Sequence, residues 1–164
     1  MSNQGASAQP GVDGTDSIGS MSVLVVDDNE PNRELIEAYL EDLGCEVRIS
    51  ADGADALAQV DSRQPDLILL DVMMPKMSGF QACSRIKANP QTRDIPVIMV
   101  TALNEVGDVE RAVESGADDF LTKPVNKLEL LTRVRSLLRV RQLKRQLDRT
   151  LEQMRRMGGG PAAP

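Results

Sequence analysis

The sequence predicts an α/β fold in which a parallel five-stranded sheet is covered by helices on both faces. Three observations support this prediction. Short apolar runs alternate with amphipathic segments along the middle of the chain. The runs Leu67–Leu70 and Pro96–Val100 show no polar alternation, which is typical of strands that are buried on both faces. Five strand–helix units in about 120 residues leave little room for any other layer.

The first predicted strand, Val23–Asp27, is followed by a helix at Pro31–Leu43. Proline suits the first turn of a helix, and Gly44 lies just beyond the helix end, where glycine is favoured. Glu46–Ser50 is predicted to be a short second strand. The next helix, Asp52–Asp61, begins at a residue suited to cap its first turn. We expect this helix to bury Ala54, Leu57, Ala58 and Val60.

The second half of the chain continues the same alternation. Two further helices are predicted there, and a glycine opens the first and closes the second. In order, the elements are the strand Leu67–Leu70, the helix Ser78–Ala88 with Gly79, the strand Pro96–Val100, the helix Val106–Ser115 with Gly116, and the strand Phe120–Leu121.

The final helix starts at Lys127 and is longer than the fold requires. Its helical pattern continues to residue 157 and stops at a run of glycines. We therefore divide the chain into a leader at 1–20, a folded domain at 21–139, a helical extension at 140–157 and a flexible tail at 158–164. The leader has almost no large apolar side chains, so we expect it to be disordered. The inward stripe of the helix is predicted to be Leu128, Leu131, Val134 and Leu138.

Composition excludes several classes of protein. No apolar stretch approaches the roughly 20 residues that span a bilayer. Cys45 and Cys83 lack the spacing of metal ligands and are typical of reduced cysteines in a cytosolic protein. The absence of histidine excludes histidine-based metal sites and a phosphohistidine within this chain. The net charge of −6 argues against nucleic acid as the main partner, although residues 126–157 carry ten Lys and Arg against three Asp and Glu.

Polar side chains end four of the predicted strands. Asp71 ends the third strand, Asp27 and Asp28 end the first, Thr101 follows the fourth, and Lys123 follows the last. In open parallel sheets the loops at the carboxyl ends of the strands form the binding crevice. We therefore expect these five side chains to share one site.

Three clustered carboxylates would repel one another unless a cation neutralises them. A hard divalent ion suits such ligands, with Mg²⁺ the first choice and Mn²⁺ the alternative. An ammonium and a hydroxyl beside that ion could hold the oxygens of a phosphoryl group, whose transfer needs mainly positioning and charge neutralisation. Asp71 would then be the nucleophile and would form an acyl phosphate.

These residues resemble the receiver domain of bacterial two-component response regulators, a chemotaxis-regulator-like domain. The resemblance runs from about Ser22 to Arg139 and includes Asp27-Asp28, Asp71 with Met74-Pro75 and Gly79, Thr101-Ala102 and Lys123-Pro124. Two stretches particularly resemble receivers at the front of diguanylate cyclase regulators. They are Leu70-Asp71-Val72-Met73-Met74-Pro75 and Ser115-Gly116-Ala117-Asp118-Asp119-Phe120-Leu121-Thr122-Lys123-Pro124.

The resemblance implies a flavodoxin-like strand order 2-1-3-4-5 and a role for each site residue. Asp71 would accept a phosphoryl group from a phosphohistidine. Asp27, Asp28, Asp71 and the backbone carbonyl of Met73 would hold Mg²⁺. Thr101, Ala102 and Lys123 would bind the phosphoryl group, Thr101 and Phe120 would form the switch, and the Lys123–Pro124 bond would be cis. Phe120 could equally be a core aromatic.

The expected function is that of a stand-alone regulator in the cytoplasm. Fewer than 30 residues follow the domain, too few for a winged helix, a cyclase or a phosphodiesterase. The resemblance implies a histidine kinase or histidine phosphotransfer protein as donor and a separate output protein. It also implies self-phosphorylation and self-dephosphorylation chemistry rather than an enzyme of external substrates. Because Met73 and Leu103 are apolar and would flank the attacking water, we expect slow loss of the phosphoryl group.

Several alternatives stay open at the level of sequence. An aspartate-nucleophile phosphatase would use similar groups, but it needs a second acid where this chain has Met73. A phosphate-independent scaffold would act through its long helix instead. The extension itself could be a solvated helix, a homodimer interface or a docking helix, since Lys144 and Thr150 interrupt the spacing of Leu143, Leu147, Leu151 and Met154. A homodimer through the fourth and fifth helices is a further alternative.

Overall fold

The computed structural model describes residues 18–102 and 106–158, with only the backbone of Val106. Residues 1–17 of the predicted leader, Leu103 and residues 159–164 of the predicted tail lie outside the described residues. None of the described helices combines the length and the apolar character that crossing a bilayer requires.

Five parallel strands form one sheet in the order β2-β1-β3-β4-β5. The predicted parallel sheet and its strand order are therefore confirmed. Each neighbouring pair is parallel, and β1 and β3, which flank the reversal of strand order, lie side by side. The strands are β1 Ser22–Val26, β2 Glu46–Ser50, β3 Leu67–Asp71, β4 Val97–Thr101 and β5 Asp119–Thr122.

Five α-helices connect and follow these strands. They are α1 Glu30–Leu40, α2 Gly53–Ser62, α3 Gly79–Ala88, α4 Val106–Glu114 and α5 Lys127–Met157. Short 3-10 turns at Ile18–Ser20 and Glu41–Leu43 precede β1 and extend α1. The predicted elements are all found, with boundaries that differ from the prediction by a few residues at most.

Side-chain caps explain where four of the helices begin. The residue before each helix accepts a hydrogen bond from a backbone N–H of its first turn, which otherwise has no helical partner. Ser78 belongs to a capping box, because the side chain of Gln81 accepts a hydrogen bond from the backbone N–H of Ser78 in return. The four caps are Asn29, Asp52, Ser78 and Asn126.

Two apolar layers cover the sheet, because successive residues of a strand point to opposite faces. On one face, Leu24, Ile68 and Met99 pack against α2, α3 and α4. On the other face, Val25, Leu69 and other strand residues pack against α1 and α5. Since both faces are buried, the central strands have no polar alternation.

Two of the four residues predicted to be buried on α2 were wrong, whereas Val60 is buried and Leu57 is partly buried against the core. Ala54 and Ala58 are exposed, whereas Gly53, Ala56 and Val60 are buried. At 3.6 residues per turn, Ala56 lies about 40° from Val60 around the helix, but Ala54 lies about 120° from it. Alanine is small enough for either face, so the sequence did not distinguish the two orientations.

The stripe predicted for α5 also needs one correction. Leu128 is 75% exposed, and Leu130 is fully buried in its place. Leu130 lies about 40° from Val134 around the helix, whereas Leu128 lies about 120° from it. The other predicted members, Leu131, Val134 and Leu138, are buried.

Beyond Leu138, α5 is held at the amino-terminal edge of the sheet by arginines. Arg141 is only 9% exposed. Arg145 Nη1 lies 2.5 Å from Oδ1 of the buried Asp66, which directly precedes β3. The other carboxylate oxygen of Asp66 accepts a hydrogen bond from the backbone N–H of Ser22 at 2.7 Å. The helix is therefore fixed to the domain as far as Arg145.

Candidate functional site

Three carboxylates lie together at the carboxyl end of β1 and β3. Asp27 directly follows β1, and Asp71 is the last residue of β3. Each of Asp27, Asp28 and Asp71 offers an oxygen, and these oxygens all lie within 4.8 Å of one another. Asp27 and Asp71 are buried, whereas Asp28 is exposed. The cluster therefore opens to solvent on the side of Asp28.

Lys123 reaches this cluster from the end of β5. Its Nζ lies 3.1 Å from Asp71 Oδ1 and 3.3 Å from Asp27 Oδ2. The backbone N–H of Lys123 donates to the carbonyl of Thr101 at 2.8 Å, and the Lys123–Pro124 peptide bond is cis. The ammonium group thus bridges carboxylates that come from two different strands.

The electrostatics of the cluster follow from burial and charge. Burial raises the pKa of Asp71, the charge of Asp27 raises it further, and Lys123 only partly offsets both effects. For Lys123, burial lowers the pKa, but Asp71 and Asp27 outweigh burial and the net pKa is raised. The ammonium form of Lys123 is therefore favoured, and the acids have more negative charge than one lysine neutralises.

Neighbouring backbone groups hold the acids in place. Asp27 Oδ1 accepts a hydrogen bond from the backbone N–H of Asn29 at 2.9 Å, and Arg33 donates to the carbonyl of Asp27 at 2.7 Å. The backbone N–H of Met73 donates to the carboxylate of Asp71. Sequence reasoning missed Asn29 and Arg33, and only the position of Asn29, two residues after an acid and directly before a helix, could have indicated its role.

Gly79 fits against the backbone of Asp71 with no space for a side chain. Its N–H donates to the carbonyl of Val72 at 2.9 Å. A Cβ atom placed on Gly79 would lie 2.2 Å from the carbonyl oxygen of Asp71 and 2.9 Å from Cα of Val72. The glycine therefore allows α3 to begin directly beneath the loop that follows Asp71.

Thr101 is the last residue of β4, and Phe120 is the second residue of the neighbouring strand β5. Thr101 is 7% exposed, and the following Ala102 is exposed. Thr101 and Phe120 both line a small cavity of about 20 Å³, together with Phe80 and Asp108. Phe120 is 38% exposed, so its ring borders this cavity without being fully enclosed.

The predicted residues therefore fall into two groups. The structure brings Asp27, Asp28, Asp71 and Lys123 into one cluster. Thr101 and Phe120 meet at the neighbouring cavity. The side chain of Met73 is 64% exposed and is not part of the core. Such an arrangement of acids and an ammonium can hold a divalent cation and the oxygens of a phosphoryl group.

Comparison with known proteins agrees with this geometry. Residues 23–135 match the model of the response regulator receiver domain. The response regulator PleD of Caulobacter vibrioides is 48% identical over 139 residues, which cover 85% of this chain and 31% of PleD. The DNA-binding dual master transcriptional regulator RpaA of Synechocystis is 44% identical over 71% of this chain and 48% of its own length. The chain thus spans about a third to a half of the length of these relatives.

The solved structures give the same result for the fold. The chemotaxis response regulator CheY4 of Vibrio cholerae is 32% identical, with a TM-score of 0.68. The match covers 72% of this chain and 98% of CheY4. With the matching domain model, the relatives and the shared strand order, the chain belongs to the response regulator receiver family of two-component signalling proteins.

Proposed function

We propose that the chain is a phosphorylation-dependent signalling switch in which Asp71 accepts a phosphoryl group from a phosphohistidine. The contact of Lys123 Nζ with Asp71 Oδ1, at 3.1 Å, is the observation that carries this proposal. It places a cation beside the oxygen of the one acid that ends a central strand. The donor would be a sensor histidine kinase or a histidine phosphotransfer protein, since this chain has no histidine.

In the proposed transfer, a carboxylate oxygen of Asp71 attacks the phosphorus atom of the phosphohistidine. The O–P bond forms while the P–N bond breaks, and the imidazole nitrogen keeps the electron pair and takes up a proton. Lys123 neutralises charge on the phosphoryl oxygens, and Thr101 and the backbone N–H of Ala102 donate hydrogen bonds to them. These groups act by position and charge, as phosphoryl transfer requires.

The donor set fits a hard divalent ion, with Mg²⁺ proposed and Mn²⁺ able to replace it. Asp27, Asp28 and Asp71 offer oxygens within 4.8 Å of one another, and oxygen ligands are those that Mg²⁺ prefers. The backbone carbonyl of Met73 completes the proposed set. When bound, the ion supplies positive charge that offsets repulsion between the acids and the incoming phosphoryl group.

Phosphorylation would be read by a partner protein through Thr101 and Phe120. An attraction between Thr101 and the phosphoryl group would exist in only one conformation, so it would shift a two-state equilibrium. The small cavity that both Thr101 and Phe120 line supports this role, because the two residues border the same space. The proposal includes a cytoplasmic location, which the free cysteines Cys45 and Cys83 fit.

Incubation of the chain with a small phosphodonor, with Mg²⁺ or with a chelator, tests the proposal. We expect one phosphoryl group per chain with Mg²⁺ and almost none with the chelator, measured by intact mass. Continuous release of inorganic phosphate with many turnovers would instead favour a phosphatase. An unmodified chain under both conditions would favour a phosphate-independent scaffold and would contradict the proposal.

Replacing Lys123 by methionine is expected to tighten Mg²⁺ binding by about tenfold, because a competing positive charge leaves the acids. Isothermal titration calorimetry with MgCl₂ measures this change. Lys87→Met is the matched control, since that lysine pairs with Asp118 elsewhere on the surface. Weaker or unchanged Mg²⁺ binding in Lys123→Met would show that the ion does not share the acids with Lys123.

The phosphorylated chain is expected to lose its phosphoryl group slowly in Mg²⁺ buffer. Met73 points into solvent with 64% exposure, and its thioether is too weak an acceptor to orient an attacking water. Release of phosphate over time from the desalted phosphoprotein measures the lifetime. A half-life of seconds would contradict this prediction, and Met73→Asn is expected to shorten the lifetime.

The extension of α5 is proposed to pair with a second copy of the chain. Leu143, Leu147 and Leu151 are each 45% or more exposed, and Leu143 and Leu147 lie on the face opposite the buried Arg141 and Arg145, which pairs with Asp66. Light scattering is expected to give twice the 17.8 kDa mass for the full chain and a single mass after removal of residues 140–164. Leu147→Glu in the full chain is expected to give the mass of a single chain, as the truncation does. A monomeric full chain would contradict pairing through this helix.

A further inference from the structure

A separate groove runs between α3 and α4, away from the acid cluster. Its volume is about 610 Å³, and it is open to solvent. Met77 and Phe80 contribute apolar side chains, and Phe80 is 8% exposed. Lys76, Arg85 and Arg111 place three cationic side chains around the groove, against one acid, Glu114.

The three cations of this groove have no ion pair or hydrogen bond from their side chains within the described part of the chain. Outside residues 126–157 the chain has nine basic residues. Five of these nine hold acids or carbonyl groups through their side chains: Arg33, Arg48, Arg63, Lys87 and Lys123. Three of the other four line this groove, and the fourth is Arg93. In a chain with a net charge of −6, this concentration of exposed positive charge is complementary to a negatively charged partner.

Arg111 is oriented by a contact with Phe80. Its guanidinium carbon lies 4.7 Å from the centre of the Phe80 ring, a cation–π contact that orients the planar group over the apolar floor. The N–H groups at the edge of a guanidinium match the two oxygens of a carboxylate. Because Phe80 is itself part of the core on the sheet face of α3, the platform beneath Arg111 is already formed.

We propose that this groove binds an acidic peptide segment of a partner protein. Carboxylates of the segment would pair with Arg85, Arg111 and Lys76, and an apolar side chain between them would contact Met77 and Phe80. An open groove suits an extended segment better than a small molecule, which is usually enclosed by its pocket. Glu114 and the acidic charge of the surrounding domain disfavour a nucleic acid.

None of these groove residues belongs to the phosphoryl-acceptor cluster, so the inference is independent of the chemistry proposed for Asp71. If the groove does not bind an acidic peptide, Asp71 can still accept a phosphoryl group. If Asp71 is not phosphorylated, the groove can still bind the peptide.

Fluorescence anisotropy with the full chain tests the proposal. The probe is a fluorescein-labelled synthetic peptide of repeated Glu-Glu-Leu units, at low ionic strength. We expect saturable binding that Arg85→Glu/Arg111→Glu weakens by about tenfold or more. The matched control is Arg93→Glu, which makes the same kind of charge change at an exposed arginine outside the groove, and it is expected to weaken binding by less than about threefold.

A second variant and a second probe complete the test. Lys76→Ala/Arg85→Ala keeps the stacking of Arg111 on Phe80 and is expected to weaken peptide binding as well. This variant therefore tests the groove even if Arg85→Glu/Arg111→Glu fails to fold. A fluorescein-labelled single-stranded oligonucleotide of equal charge is expected to bind more weakly than the peptide. The proposal is overturned if the native chain shows no saturable binding, if Arg93→Glu matches the groove variants, or if the oligonucleotide binds more tightly through the same arginines.

Discussion

Asp71→Asn is expected to abolish phosphoryl incorporation from a small phosphodonor in the presence of Mg²⁺. Asparagine has nearly the same shape, but its amide oxygen is a poor nucleophile and the group has lost its negative charge. The contact with Lys123 would also weaken, because its partner would be neutral. Intact mass spectrometry after incubation measures the result as the presence or absence of one added phosphoryl group.

Asp94→Asn is the matched control for this prediction. Asp94 is an exposed acid whose side chain lies 3.9 Å from Lys144, remote from the cluster. The Asp94→Asn chain is expected to be phosphorylated on Asp71 to the same extent as the native chain. Full incorporation in Asp71→Asn, with unchanged circular dichroism for both variants, would mean that another group accepts the phosphoryl group.

Gly79→Ala is expected to destabilise the fold by about 3 kcal/mol, which is the upper range for overpacking. The added Cβ would lie 2.2 Å from the carbonyl oxygen of Asp71, so either α3 or the end of β3 must move. The free energy of unfolding, measured in denaturant, gives the magnitude. We also expect impaired phosphorylation, because the displaced backbone carries the acceptor.

Gly107→Ala is the control for the glycine prediction. A Cβ atom on Gly107, in the first turn of α4, meets no atom of the described structure within 4 Å. Alanine there should leave stability unchanged or raise it by up to about 1 kcal/mol, since alanine favours the helix. Equal stability of the two variants would show that the close packing of Gly79 on β3 is not required.

The parallel sheet could be predicted because apolar strands and strand-end polar residues are local signals, whereas the strand order was implied by the resemblance to receiver domains. The runs that become β3 and β4 are apolar throughout, and in the structure both faces of each strand are buried. The meeting of Asp71 with Lys123, 52 residues apart in sequence, followed from parallel strands sharing one edge. Because β3 and β5 are parallel, Asp71 and Lys123 lie at the same edge of the sheet.

Other features of the structure could not be predicted, because no local sequence pattern indicates them. The orientation of α2 depended on choosing between Ala54 and Ala56, and alanines contribute almost equally to either face. The support that Arg33 gives to the carbonyl of Asp27 is a contact that nothing in the local sequence indicates. The α3–α4 groove joins Lys76 and Arg85 to Arg111, which are brought together only by the packing of two helices.

Borohydride reduction of the phosphorylated chain, followed by peptide sequencing, tests the central claim most directly. Hydride reduces an acyl phosphate to a primary alcohol, so the modified aspartate becomes homoserine and its position can be read. We expect homoserine at position 71 and at no other aspartate. Homoserine at position 27 or 28, or a phosphoryl group that resists reduction on a hydroxyl side chain, would contradict the assignment of Asp71 as the acceptor.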